Sequence, residues 1–471
     1  MSQVPESVEI SPSDVLIAGN IRGAEYIYPE RMDQLRKLHL AIAKVAKSWG
    51  YKQVDGPTLQ PIEFYKIKSS DDILKEGYYI SSGDKTYILR PETTPTIAYM
   101  LAKAEKRLSF PVRWYSDSDI YRNERPQSGR KRQFGQFNLD KFEKSPLQPN
   151  VKALSDAEVI VIALDILTSL GLTSKDLVLK INSRSLIEKV FEVLNIESSV
   201  IKYQILSAID AKSKIPADVF EERLINAGLK DLQIEGLKQW MAINSLEDIS
   251  KNDKFKSVAT SAEYKELQEV FVWIANYGFS EFCIYDPATV RGLGYYTGTV
   301  FEAYDRTPEK SMNRSILGGG RYDNFTKKFG GKTEVTGVGF GIGFVPLEIL
   351  LESRNLMPKT KDIDIDYYIV SVHDDDSKLN SRLQEILGVA KTLRDNHYSV
   401  IIDPSITLPK SEKMKKQIST ADKIGSLKIL IFFANEDNKD KVVIKDLKSG
   451  EQEEIKVNQF INTLKQENNK S

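Results

Sequence analysis

The chain has 471 residues, 41% hydrophobic and 28% charged, which excludes wholesale disorder and fits a soluble globular protein of about two to four domains. Lys plus Arg and Asp plus Glu both total 66, so no global field draws the chain to nucleic acid, and any RNA contact must come from local patches. One cysteine, Cys283, and three histidines exclude a disulfide framework and make a metal cluster an unexpected feature, which fits a reducing compartment. The N-terminal stretch has no basic segment followed by an apolar core, and no apolar run approaches the ~18 residues of a membrane span, so a cytoplasmic protein without membrane attachment is expected.

Met32, Leu35, Leu38, Ile42, Val45 and Trp49 recur at helical spacing before Gly50, predicting a helix over 30–49 that runs into extended Tyr51–Val54. Gly56-Pro57 breaks the chain. Lys85–Arg90 reads as a strand ending at Pro91, and Glu92 lies at its junction with a helix over 97–106 whose start suits the hydroxyls of Thr93 and Thr94. Val112–Tyr121 and Phe134–Phe142 are extended runs on either side of a polar loop, which predicts a long antiparallel hairpin. Between Tyr121 and Phe134 five basic residues (Arg122, Arg125, Arg130, Lys131, Arg132) face one acid, Glu124. Guanidinium forks fit phosphate oxygens and Phe134 offers a ring for a planar base, although a solvated hairpin tip explains the same charges.

From 185 to 276, Leu, Ile, Lys and Glu recur at helical spacing and predict a helical insertion in a strand-rich region. The string Arg291-Gly-Leu-Gly-Tyr-Tyr-Thr-Gly-Thr-Val-Phe-Glu302 follows. As a strand it sets Tyr295, Thr297, Thr299 and Phe301 on one face and Tyr296, Gly298, Val300 and Glu302 on the other. Taken alone, an ordinary half-buried strand with a bulge explains it equally well. Glycines in Leu317–Asp323 and Gly337–Gly343 point to close backbone packing or ligand approach, and no phosphate-binding loop or clean dinucleotide fingerprint is present.

A polar break over 353–362 reads as a linker. Beyond it come strand Ile365–Val372, helix Leu379–Asp395, strand Ser399–Ile402, helix Glu412–Ile424 and strand Lys428–Phe433, an alternation that predicts a small parallel α/β domain over 363–465. Val442–Ile444 and Glu453–Val457 add a hairpin, and 466–471 reads as a disordered tail. Lys413, Lys415, Lys416 and Lys423 lie on one predicted helix, as phosphate contacts or as a solvated face.

Several of these strings, in this order, resemble motifs of the histidyl-tRNA synthetase family of class II aminoacyl-tRNA synthetases. Gly56-Pro57-Thr-Leu is similar to the first class motif, and Arg122–Gln136 closely resembles the second, RxERPQxGRxRQFxQ. Arg291-Gly-Leu-x-Tyr-Tyr and Gly319-Gly-Arg-Tyr-Asp323 are similar to the two histidine-specific motifs, while Lys416-Gln417 and Asp446–Glu451 resemble parts of the anticodon-binding domain.

The resemblance implies an α+β catalytic domain over 1–352, built on an antiparallel sheet with a helical insertion, and a mixed α/β anticodon-binding domain. It also implies a homodimer that activates histidine with ATP and esterifies tRNA(His), with Mg2+ bridging the leaving pyrophosphate. Arg122 and Arg291 are then the catalytic cations at the α-phosphate, where charge gathers during attack. Arg122, Glu124, Arg130 and Phe134 would bind ATP: Arg130 at the terminal phosphates, Glu124 and Phe134 at adenine. Glu92, Thr94 and Gln136 would take the ammonium of histidine; Asp140, Tyr296 and Tyr322 would line its ring, with Thr93 and Tyr295 completing the set.

Four positions depart from the family pattern. The third class motif normally ends in Gly-x-Glu-Arg but reads Gly343-Phe-Val-Pro346 here, with Arg354 the nearest arginine downstream. Gly294 replaces an acid, Gly135 replaces a histidine, and Asp140 is one methylene shorter than glutamate. Loss of an ATP cation is what a catalytically silent paralogue predicts, either a histidine-sensing regulatory subunit or an RNA-binding module. The retained C-terminal domain and the set Arg122, Glu124, Arg130, Phe134 and Arg291 favour the enzyme.

Overall fold

The computed structural model describes residues 21–66, 74–212, 215–291, 294–312, 314–359, 365–372, 376–404, 412–433 and 440–468. The chain divides into two compact units, Met1–Pro358 and Lys359–Ser471.

The strands of the first unit are β1 (Lys52–Gln53), β2 (Leu59–Pro61), β3 (Tyr78–Ser82), β4 (Lys85–Leu89), β5 (Val112–Tyr121), β6 (Gln133–Lys144), β7 (Leu177–Ser183), β8 (Cys283–Tyr285), β9 (Thr299–Asp305), β10 (Ser315–Asp323) and β11 (Val335–Gly343). Eight of them form one sheet in the order β1-β5-β6-β11-β10-β9-β7-β8. Pairing is antiparallel from β5 through to β7 and parallel at both edges. The period of two in each strand sorts side chains between two faces. Phe137, Leu139, Phe301, Ala303, Val338 and Phe340 enter the main core, packed with the helices Pro29–Ser48, Pro149–Ser169 and Ala262–Asn276. On the other face Phe142, Val300 and Tyr322 pack with Ile97, Ala98 and Leu101 of the helix Thr94–Ala104.

The helices from Arg184–Val193 to Ala262–Asn276 stand between β7 and β8. β2, β4 and β3 make a separate three-stranded antiparallel sheet that leads into Glu92.

In the second unit β12 (Ile365–Val372), β13 (Val400–Ile402), β14 (Ser426–Phe433), β15 (Lys441–Asp446) and β16 (Gln452–Lys456) form a sheet ordered β13-β12-β14-β15-β16. The first three strands run parallel, and β15 and β16 add an antiparallel hairpin. The Asp446 carboxylate closes that hairpin by accepting from the backbone N–H groups of Lys448 and Ser449 at 3.0 and 2.8 Å.

Two expectations change. The strand expected from Tyr295 starts only at Thr299, and Tyr295 and Tyr296 do not take opposite faces: both join the second cluster, their ring centroids 4.8 Å apart. Their chain has not yet entered the ladder, so strand alternation does not govern them. The last helix, Val457–Asn468, continues through 466–468, where a disordered tail was expected, because Phe460 and Leu464 anchor it to the sheet core. Residues 469–471, Gly292, Leu293 and 360–362 of the expected linker lie outside the described residues.

Candidate active site

The basic loop is held at both ends. Backbone N–H groups of Arg132 and Gln133 donate to the carbonyl of Gly23 at 2.7 and 3.3 Å, and Lys131 pairs with Glu25 at 2.5 Å. Gly23 has φ +87°, which lets the incoming segment cross the loop closely. Within the loop Glu124 gathers two arginines, Arg130 at 2.7 Å and Arg122 at 3.8 Å. Arg122 also donates from Nε to the Pro91 carbonyl at 2.9 Å and lies 5.5 Å from the Phe134 ring centre. These contacts turn a flexible charged side chain into a directed one.

Beside it is a buried polar cluster. Tyr322 donates to Asp140, and both residues are 2% exposed. Burial pushes the Asp140 carboxyl up to about 7, and the Tyr322 hydrogen bond only partly opposes this. Glu92, also buried, accepts from the Tyr295 hydroxyl at 3.5 Å, and Thr94 hydrogen-bonds the same tyrosine. Thr93 is fully buried and its hydroxyl has no hydrogen-bond partner among the described residues. Arg90 braces this corner: its guanidinium bonds Asp55 at 2.5 Å and the carbonyls of Gly56 and Asp119 at 2.9 and 2.8 Å.

The glycines of β10 and β11 make room for these side chains. A Cβ at Gly339 would lie 2.4 Å from Asp140 Oδ1, one at Gly341 2.4 Å from Gln136 Nε2, and one at Gly337 2.6 Å from the Tyr322 ring. Cross-strand pairing puts Gly339 opposite Asp140 and Gly341 opposite Asn138, so the bare backbone forms a floor beneath the cluster. Gly318 does the same for Arg291, whose Nη1 would be 2.1 Å from a Cβ there. Arg291 itself has φ +58°, pairs with Glu302 and lies 6.0 Å from the Tyr296 ring centre. Burial works against its charge, but Glu302 and Tyr296 hold the guanidinium firmly protonated.

Gln136, Asp140 and Tyr322 therefore share one face of the sheet, with Glu92, Tyr295 and Tyr296 packed beside them, while Arg291 lies over β9 and β10 and Arg122, Glu124 and Arg130 belong to the loop between β5 and β6. Spacing alone did not single out Ser116, Asn138 or Glu302. Ser116 and Asn138 face each other across β5 and β6, both buried, and Ser116 Oγ and Asn138 Oδ1 have no hydrogen-bond partner among the described residues. Buried polar atoms of this kind call for a partner. The signal available was the period of two through Gln136, Asn138 and Asp140. Glu302 needed the register of β9 against β10, which sets it opposite Gly318 beneath Arg291.

Two of the departures have structural accounts, and one does not. A Cβ at Gly135 would lie 2.9 Å from the Phe344 ring, which itself stacks on His39 with centroids 3.8 Å apart, so no larger residue fits without moving that ring. Arg354 cannot replace an arginine at Pro346, because Asp176 at 3.1 Å and Asp305 at 2.6 Å hold it. Among the described residues a Cβ at Gly294 would meet only Tyr203, at 4.0 Å, so sterics there do not demand glycine and its presence has no structural explanation.

A largely antiparallel sheet with its main helical core on one face, and a buried polar cluster with a basic loop beside it on the other, is the architecture of class II aminoacyl-tRNA synthetases. Residues 23–345 match the family model described as histidyl-tRNA synthetase, and residues 366–467 match the anticodon binding domain. The chain belongs to the histidyl-tRNA synthetase family. It is 32% identical to a histidine–tRNA ligase of Haloquadratum walsbyi over 93% of this chain and 96% of the relative. Identity to that of Haloarcula marismortui is 30%, over 94% and 96%. Its fold is similar to the crystal structure of histidyl-tRNA synthetase from Nostoc sp. PCC 7120, with a TM-score of 0.68, 24% identity and coverage of 94% and 98%.

Proposed function

We propose that this chain joins histidine to tRNA(His), first forming histidyl-adenylate from histidine and ATP. The observation that carries this reading is Arg291, held by Glu302 above Gly318 on the sheet face that bears Asp140 and Tyr322, together with the Arg122–Glu124–Arg130 set in the loop between β5 and β6. Attack of the histidine carboxylate on the α-phosphate builds negative charge at one centre, and two guanidiniums fixed beforehand lower its energy without reorganising. Arg122 and Arg291 take that role, with ATP arriving as its magnesium complex. Phe134 stacks on adenine beside Glu124, and Arg130 meets the terminal phosphates. Glu92, Thr93, Thr94 and Gln136 hold the ammonium group. Asp140, Tyr295, Tyr296 and Tyr322 surround the imidazole, where an unsatisfied buried partner rejects amino acids lacking a ring nitrogen.

The second unit, with Lys415, Lys416 and Lys423 exposed on one helix, supplies the tRNA contact, and the enzyme works as a cytoplasmic homodimer. A silent regulatory paralogue is the weaker reading, because the cations and the C-terminal unit are both retained. Histidine-dependent exchange of pyrophosphate into ATP tests the choice. Exchange and tRNA(His) charging are expected; histidine binding with exchange at background would sink the proposal.

A further inference from the structure

The tip of the basic loop rests on a segment that no motif draws attention to. Gln127 and Arg130 exchange backbone hydrogen bonds at 3.2 and 2.8 Å, closing a tight turn with Gly129 at φ +74°. A Cβ at Gly129 would lie 2.5 Å from Met312 Sδ and 3.1 Å from Cδ of Arg314, so the turn is seated on the stretch leading into β10. Arg314 is partly buried there and forms no ion pair among the described residues. Its guanidinium is held below its ordinary value first by burial and then by the nearby charge of Arg130, with Glu124 opposing both. Arg122, Arg130 and Arg314 thus share one carboxylate, Glu124, which neutralises only one of the three. Like charges drawn together and partly desolvated need a counter-anion with more than one charge.

We propose that Arg314, on the approach to β10 and against the tip of the loop, binds the terminal phosphates of ATP and is a third arginine of the triphosphate site. It stands in for the cation absent at Pro346, since Arg354 is held elsewhere by Asp176 and Asp305. The proposal rests on the basic loop being the ATP site, and it adds a residue from a different element. Arg314 touches the leaving group, so it acts on binding and departure of pyrophosphate and not on recognition of histidine or adenine.

Titration calorimetry of ATP, AMP and histidine against the full-length protein tests this, since AMP lacks the terminal phosphates. Arg314→Gln should weaken ATP by about 10- to 100-fold, the range for one charge-assisted contact. AMP and histidine should stay within about twofold. Arg314→Lys should recover most of the ATP affinity, which a role in packing alone would not predict. Unchanged ATP affinity in Arg314→Gln, or equal weakening of ATP and AMP, would overturn the proposal. Wild-type protein that bound neither nucleotide would overturn the reading of the loop along with it.

Discussion

Asp140 combines two demands at one carboxyl. Its folded-state value, pushed up to about 7 by burial, exceeds the ~4 of a free aspartate, so the folded chain keeps a proton that the unfolded chain releases. The stability this confers is fully present below about pH 4 and is lost as pH rises through 7. Denaturant unfolding should show it: Asp140→Asn should remove one proton's worth of pH dependence between about 4 and 7, and parallel curves for the two proteins would exclude Asp140 as the group. Arg291 makes a different demand, because Glu302 holds it over bare backbone. Arg291→Ala should lower exchange by about 10²- to 10³-fold, the usual cost of losing a preorganised transition-state donor, with an unchanged circular dichroism spectrum. Arg291 was legible in its motif, whereas Asp140 lies four residues beyond the second class motif and was reached only by its matching position. Glu302, by contrast, looks like any strand carboxylate until the register of β9 and β10 is known.

The alternating glycines of β11 are an element-scale device. With Gly337, Gly339 and Gly341 on one face, neighbouring strands can aim Tyr322, Asp140 and Gln136 across the floor. Gly339→Ala forces a Cβ against Asp140 Oδ1, and overpacking of this kind costs about 1–3 kcal/mol. Its kinetic mark should be a raised KM for histidine with little change in KM for ATP; an equal rise in both would show that the whole sheet has shifted. The β5–β6 hairpin was readable because two extended runs flank a polar loop. The helix Pro149–Ser169 was not, since it is buried on nearly all sides between the sheet and its neighbours and so lacks the one-sided apolar stripe that marks an amphipathic helix.

At the scale of the whole molecule, each unit has its own apolar core, with Phe137 and Phe340 in the first and Tyr367 and Phe432 in the second. Truncation after Pro358 should leave histidine-dependent exchange largely intact while tRNA(His) charging falls; equal loss of both would deny the second unit a role in tRNA binding. The order of the units was readable from the change of pattern near residue 360. How Tyr295 and Tyr296 enter one cluster was not, because a loop before a strand obeys no period. The glycine floor also limits how this molecule can change. Every substitution at Gly337, Gly339 or Gly341 adds atoms, so a single mutation in β11 can shrink the site, whereas enlarging it requires trimming a side chain such as Tyr322, Asp140 or Gln136. On the proposed histidine site, amino-acid selectivity would be a ratchet: drift in β11 shuts histidine out before it lets anything larger in.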